Sequence, residues 1–240
     1  MKKVILPLLL LSSVASFVSY GQGGLLGKAK SLVNKAKGGN LSADEIGAGL
    51  KEALSIGAQN GANKLSAVDG FFANAAIKVL MPPEAQKVEA TLRKVGMGKL
   101  VDDAILSMNR AAEDASKSAA PIFVDAIKSM SIQDAVGILK GSDTAATGYL
   151  RGKTTSALTS AFRPVIEGAL QKTGATKHWQ TVMEAYNKIP LTSKVNPDLS
   201  GYVTEKALGG MFIQVADEEK KIRKDPAARV TETLKKVFGS

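Results

Sequence analysis

The chain has no cysteine, one histidine and few aromatics, 5% of 240 residues. Without cysteine no disulfide holds it, no thiol serves as nucleophile or metal ligand, and no lipid-anchoring cysteine is possible. A single histidine excludes zinc sites built from nitrogen and sulfur. The Glu-x-x-His pair of di-iron bundles is missing, as is the spacing of a calcium loop. Any Ser–His triad would have to use His178. Its neighbour is Trp179 and no nucleophile elbow accompanies it, so it reads as a packing or surface residue. Glycines are scattered and follow no strand, which leaves no phosphate loop. Alternating strand patterns and fixed-period repeats are absent too. The expectation is a helical protein with no cofactor and no metal.

What is present begins at residues 1–21. Lys2 and Lys3 precede an apolar run from Val4 to Leu11, extended by Val14 to Val18, and Ser19 and Gly21 place small residues before Gln22. This is the layout of a cleaved signal peptide. It implies export, to the periplasm or the extracellular space. The formal charge is +10, and Lys2, Lys3, Lys28, Lys30, Lys35 and Lys37 carry more than half of that excess. The last four lie in residues 22–40, which contain no acid and are bracketed by glycines. Leu25, Leu26, Ala29, Leu32, Val33 and Ala36 keep helical spacing there. The stretch reads first as a flexible basic linker, since short isolated helices are marginal. The other reading is an amphipathic helix lying on an anionic membrane through those lysines. No basic stripe is interleaved with stacking residues, so no nucleic acid is expected.

Residues 41–240 read as one all-α domain, a bundle of about nine to eleven helices. Ser42 with Glu45 forms a capping box. The helix it opens carries Gly57 and Gly61 on its apolar face, which predicts close approach of another backbone and a central position. Further helices are expected over 71–80, 84–95, 99–119 and 122–130. Ser131 with Asp134 starts another, and 142–150, 154–172, with Pro164 inside, and 177–188 follow. After a loop at 190–197 a long helix covers 200–224, and Asp225-Pro226 starts the last one.

Two polar groupings stand out. On the 200–224 helix, Phe212, Val215, Glu219 and Ile222 share one arc, while Asp217 and Glu218 point away. A glutamate among apolar neighbours needs a partner or a raised pKa. Glu219 is therefore either an acid/base group or the partner of an arginine on a facing helix, such as Arg110 or Arg163. On the 99–119 helix, Asp102, Asn109, Arg110 and Glu113 lie opposite Leu100, Ala104, Met108, Ala111 and Ala115. They read as a solvated face, with Arg110 pairing Glu113 or Asp114.

A set of phrases recurs in order: Leu50-Lys51-Glu52-Ala53-Leu54, Asp69-Gly70-Phe71-Phe72, Met108-Asn109-Arg110-Ala111-Ala112-Glu113 and Ala120-Pro121-Ile122-Phe123. Asp134-Ala135, Ile138-Leu139, Tyr186-Asn187, Tyr202-Val203-Thr204 and Ala207-Leu208 come next. Glu218-Glu219, Ile222-Arg223, Asp225-Pro226, Ala228-Arg229 and Val237-Phe238-Gly239 complete it. In these the chain resembles the exported bacterial family catalogued as domain of unknown function 4197, over residues 41–239. The resemblance implies one continuous domain and assigns no activity or functional residue.

Two functional classes remain. The preferred one is an exported, non-catalytic envelope protein that binds a lipid, polymer or protein partner through a helical groove. The alternative is a metal-independent enzyme with Glu219, Arg110, Asp102 and Glu113 in a helical cleft. N-terminal sequencing of the protein from fractionated cells should find Gln22 first, in a fraction outside the cytoplasm; a cytoplasmic product retaining Met1 would refute the signal reading.

Overall fold

The computed structural model describes residues 42–176, 179–180, 198–229 and 231–238. Residues 1–41, with the expected signal and basic arm, lie outside the described residues. So do His178 and the loop expected at 190–197. Among the described residues there are eight α-helices, two 3-10 turns and no strand, fewer helices than the nine to eleven expected. No described helix is long and apolar enough to cross a membrane.

Helix α1, Ala43–Ser66, starts at the expected capping box. The Ser42 hydroxyl accepts the Glu45 N–H at 3.2 Å, and the Glu45 carboxylate accepts the Ser42 N–H at 3.0 Å. A 3-10 turn, Pro83–Ala85, leads into α2, Gln86–Lys94, and then α3, Gly98–Ser116. Helix α4, Ala119–Lys128, holds Pro121 in its first turn, where the missing N–H has no intrahelical partner to lose. Helix α5, Ile132–Leu139, starts at the Ser131–Asp134 box. Hydrogen bonds from Ser131, first its hydroxyl and then its backbone N–H, hold the Asp134 carboxyl below the usual range. Helix α6 is Ala145–Lys172, α7 is Leu199–Lys224 and α8 is Glu232–Phe238.

Three expectations need correction. The separate helices over 142–150 and 154–172 are one helix, α6. Gly152 costs roughly 1 kcal/mol of helix propensity. That is outweighed by a buried stripe at every fourth residue: Leu150, Thr154, Leu158, Phe162, Ile166 and Leu170. The run 71–80 is not a helix but a series of turns, with Phe71, Ile77 and Val79 buried in the core. Turn hydrogen bonds such as Lys78 N–H to the Asn74 carbonyl hold its middle, and the backbone groups of Phe71, Phe72 and Val79 bond to side chains of α3. Asp225-Pro226 opens only the 3-10 turn Pro226–Ala228, with Asp225 accepting the Ala227 N–H, and α8 begins separately.

Helices α1, α3, α6 and α7 form the centre. Helix α7 packs against α6 and α1, and α3 packs against α6. Helix α1 also meets α3, α4, α5 and α8, so its expected central place is correct. Phe123 of α4 meets Phe212 of α7 edge to face, with ring centroids 5.9 Å apart. The glycines of α1 do face α7. A Cβ on Gly57 would lie 3.6 Å from the Glu218 Cβ, and one on Gly61 would lie 3.5 Å from the Gln214 Cγ. These are ordinary contacts, which alanine could make.

The demanding glycine is Gly210 of α7. A Cβ there would fall 2.6 Å from the Phe71 ring and 3.2 Å from the Ile77 Cβ. Gly210 is what lets the turn segment lie on α7. Gly210→Ala should therefore destabilise by about 1–3 kcal/mol through overpacking. Gly57→Ala should be neutral, or stabilise by up to about 1 kcal/mol through helix propensity. Urea unfolding midpoints of the two variants check this contrast.

Candidate functional site

The polar side chains singled out in the sequence do not meet in one place. Among the described residues they belong to three separate networks. The first surrounds Glu219, buried as expected at 6% exposure. Its partner is Arg223, one turn on along α7 at 2.9 Å, and not Arg110 or Arg163. Arg163 instead pairs with Asp198, the residue that caps α7. The Glu219 carboxylate also accepts the backbone N–H groups of Ala146 and Thr147, at 3.0 and 2.9 Å, and the Thr147 hydroxyl at 2.8 Å. These are orphan donors of the first turn of α6. Arg223 donates to the carbonyls of Ile138 and Leu139, the last of α5, at 2.8 and 3.2 Å. The anion thus sits at a helix N-terminus and the cation at a helix C-terminus, each complementing the local dipole. The void beside the pair, lined by Leu50, Ala53 and Phe238 among others, holds about 10 Å³. That is at the lower limit for one water molecule and leaves no room for a substrate.

The second network corrects the reading of α3. Asn109 and Glu113 are buried, at 0% and 4% exposure, and do not lie on a solvated face. Helix α3 is covered on two sides, and its second covered side carries the polar groups that hold the turn segment. Glu113 accepts the N–H groups of Phe71 and Phe72, each at 3.1 Å. Asn109 accepts the Val79 N–H at 2.9 Å and donates to the Val79 carbonyl at 2.8 Å. Arg110 bridges Glu113 at 2.6 Å and Asp69 at 2.7 Å. Those bonds, Glu113 first and then Asp69, hold its guanidinium above the usual arginine value. Asp114 pairs with Lys117 instead. Asp69 has φ 68°, a left-handed conformation that is uncommon outside glycine. The ion pair to Arg110 helps hold it there.

Asp102 belongs to the third network. It is exposed and pairs with Arg93 of α2 at 2.8 Å, and Arg93 also binds Glu89 at 3.0 Å. This grouping ties α2 to α3 at the surface, where such pairs contribute little. Glu219 and Glu113 have committed their oxygens to backbone N–H groups and arginines. No three Asp, Glu, His or Cys residues converge into a metal-ligating group among the described residues.

The open space lies elsewhere. A groove of about 1250 Å³ runs between α2, α3 and the second half of α6. Val88, Leu92, Leu100, Ala104, Val165 and Ala169 give its apolar walls, and Trp179 and Leu199 also line it. Arg110, Asp103, Asp114 and Lys172 stand among the polar residues along it. Of the candidates among the described residues, only Arg110 lines this groove. A helical groove is part of the preferred reading of the sequence, but no motif there marks its place or its lining residues. The available signal was the apolar side of α3, which carries more apolar surface than its partner helices cover: Leu100 remains 55% exposed.

A family profile described as protein of unknown function (DUF4197) matches residues 40–239. The chain belongs to this family. No curated protein and no solved structure matches the chain. The matched span of the DUF4197 domain includes all three polar networks and the groove.

Glu219→Ala would orphan two backbone N–H groups and a nearly buried arginine. It should cost about 3–5 kcal/mol, the usual effect of removing one partner of a buried ion pair. Asp217, exposed and 3.7 Å from Lys220, is the control on the same helix. Asp217→Ala should change stability by less than about 0.5 kcal/mol. Equal, small shifts in the urea midpoint would contradict this account of Glu219.

Proposed function

We propose that this DUF4197 domain is a non-catalytic lipid-binding protein of the bacterial envelope, and that its groove receives an acyl chain. The observation that carries the reading is the groove itself. Protein interiors are packed like organic crystals, with few voids larger than a water molecule. A space of about 1250 Å³ between helices is far from a packing defect. It exceeds the roughly 300–1,000 Å³ typical of small-ligand pockets. Its walls favour an occupant that removes apolar surface from water, at about 25 cal/mol per Å². A polar polymer would lose its hydrogen bonds to water there and gain few in return. The envelope location rests on the signal-like residues 1–21. The enzymatic alternative has less support, because Glu219, Glu113, Arg110 and Asp102 are spread over three networks, the two glutamates engaged in holding backbone and all four in ion pairs.

Gly168 of α6 provides the test. It lines the groove, and a Cβ built on it meets nothing within 4 Å. Gly168→Leu projects a side chain into the groove while improving helix propensity by up to about 1 kcal/mol, so the fold is retained. Binding of a fluorescent long-chain fatty acid should weaken by about tenfold or more, or 1.4 kcal/mol. Gly152→Leu, at an exposed position on the same helix with equally open space, should bind like the unmodified protein. Equal binding by both variants, or no binding by the unmodified protein, would overturn the proposal.

A further inference from the structure

We infer that the turn between α2 and α3 is a membrane-docking tip that seats the mouth of the groove on an anionic lipid surface. The inference concerns what the outside of the protein touches, and so goes beyond the occupant of the groove. Seven large apolar side chains are exposed among the described residues, and three of them fall within six positions here. They are Val95, Met97 and Leu100, at 63%, 45% and 55% exposure. The other four, Val68, Leu80, Ile132 and Ile213, are scattered along the sequence, as single surface apolar residues commonly are. A cluster is what marks an interaction surface.

The exposure is not that of a fraying end. Gly96 has φ 81°, its N–H donates to the Arg93 carbonyl at 3.3 Å, and the Met97 N–H donates to the Leu92 carbonyl at 2.8 Å. This is the paired hydrogen-bond pattern of a glycine-terminated helix. The usual apolar contact of that motif joins the residues at the Leu92 and Met97 positions, and both line the groove. The backbone is thus held in a fixed shape with Val95 at its apex and Met97 at the groove's lip.

Charge selects the partner. Arg93, Lys94 and Lys99 flank the apolar residues, and no acid occurs between Glu89 and Asp102. Among the described residues Lys94 makes no ion pair. Arg93 and Lys99 do pair, with Glu89, Asp102 and Asp103, but all these partners are solvent-accessible. Such pairs are weak and can yield to lipid phosphates. A short apolar tip beside Lys94 and the weakly paired Arg93 and Lys99 matches the boundary between anionic headgroups and acyl chains. Met97 and Leu100 belong to both the tip and the groove wall, so a docked tip opens the groove toward the bilayer.

The absence of cysteine gives a clean test. Met97→Cys in the chain beginning at Gln22 carries the sole thiol, and an environment-sensitive fluorophore on it reports that position alone. Vesicles containing phosphatidylglycerol should shift its emission to the blue, while pure phosphatidylcholine vesicles should not. The same fluorophore on Thr155→Cys, exposed on α6, should not respond. The double variant Lys94→Glu with Val95→Asp should lose most co-sedimentation with the anionic vesicles while keeping its thermal midpoint. Gly168→Leu should leave the response at position 97 intact, which separates docking from acyl-chain uptake. A silent probe at position 97 while the protein still co-sediments would assign binding to another surface, the 22–40 arm included, and overturn the inference. Unchanged co-sedimentation of the double variant, or none by the unmodified chain, would overturn it equally.

Discussion

The fold depends on an ion pair placed where two helices end. Glu219 and Arg223 are one turn apart on α7 and would be unremarkable if exposed. Buried, they carry out two tasks at the corner between α5 and α6, capping the start of one helix and adding to the bonds at the end of the other. The corner residues provide no side-chain cap for the start of α6. The Glu219 carboxylate supplies it from α7, and Arg223 closes the carbonyls at the end of α5. The low exposure of both side chains makes the arrangement costly to break. Removing either partner leaves a charge and several backbone groups unsatisfied.

The same device appears a second time. Glu113 of α3 accepts two consecutive N–H groups of the turn segment, as Glu219 does at α6, and each glutamate has an arginine on its own helix. Asn109 extends the pattern to Val79. Irregular chain buried against a helix must find partners for its polar backbone groups, and α3 carries those partners one turn apart. Carboxylates and arginines that look like chemistry in the sequence are thereby explained as the fastening of loops and helix ends. Among the described residues the groove remains as the large open space, between α2, α3 and the second half of α6.

Much of the fold was legible where the signal is local. Ser42 with Glu45 and Ser131 with Asp134 mark helix starts within four residues. The burial of Glu219 followed from its arc with Phe212, Val215 and Ile222. Its partners did not, because Ala146 and Thr147 lie more than seventy residues away in sequence. The stretch 71–80 misled because a short apolar run fits a buried helix and a buried turn equally well. Residues 151–153 lie between the helices expected over 142–150 and 154–172, but the buried stripe from Leu150 through Thr154 to Leu158 runs across them. On α3, Asn109 and Glu113 read as solvated in the sequence, because polarity alone does not separate a wet face from a buried face that binds backbone. The groove had no motif at all. It is the space left between helices, and only their relative placement defines it.

The cap on α6 has a consequence for the order of events when the chain folds. The carboxylate that closes the Ala146 N–H comes 73 residues later. A chain emerging from its N-terminus can form α1 to α5 and begin α6, but the α5–α6 corner stays open to water until α7 has emerged. Contacts of such long sequence separation are slow to form, since the loop between them must first be closed. The α5–α6 corner is therefore completed last, by a helix made long after the two that it joins.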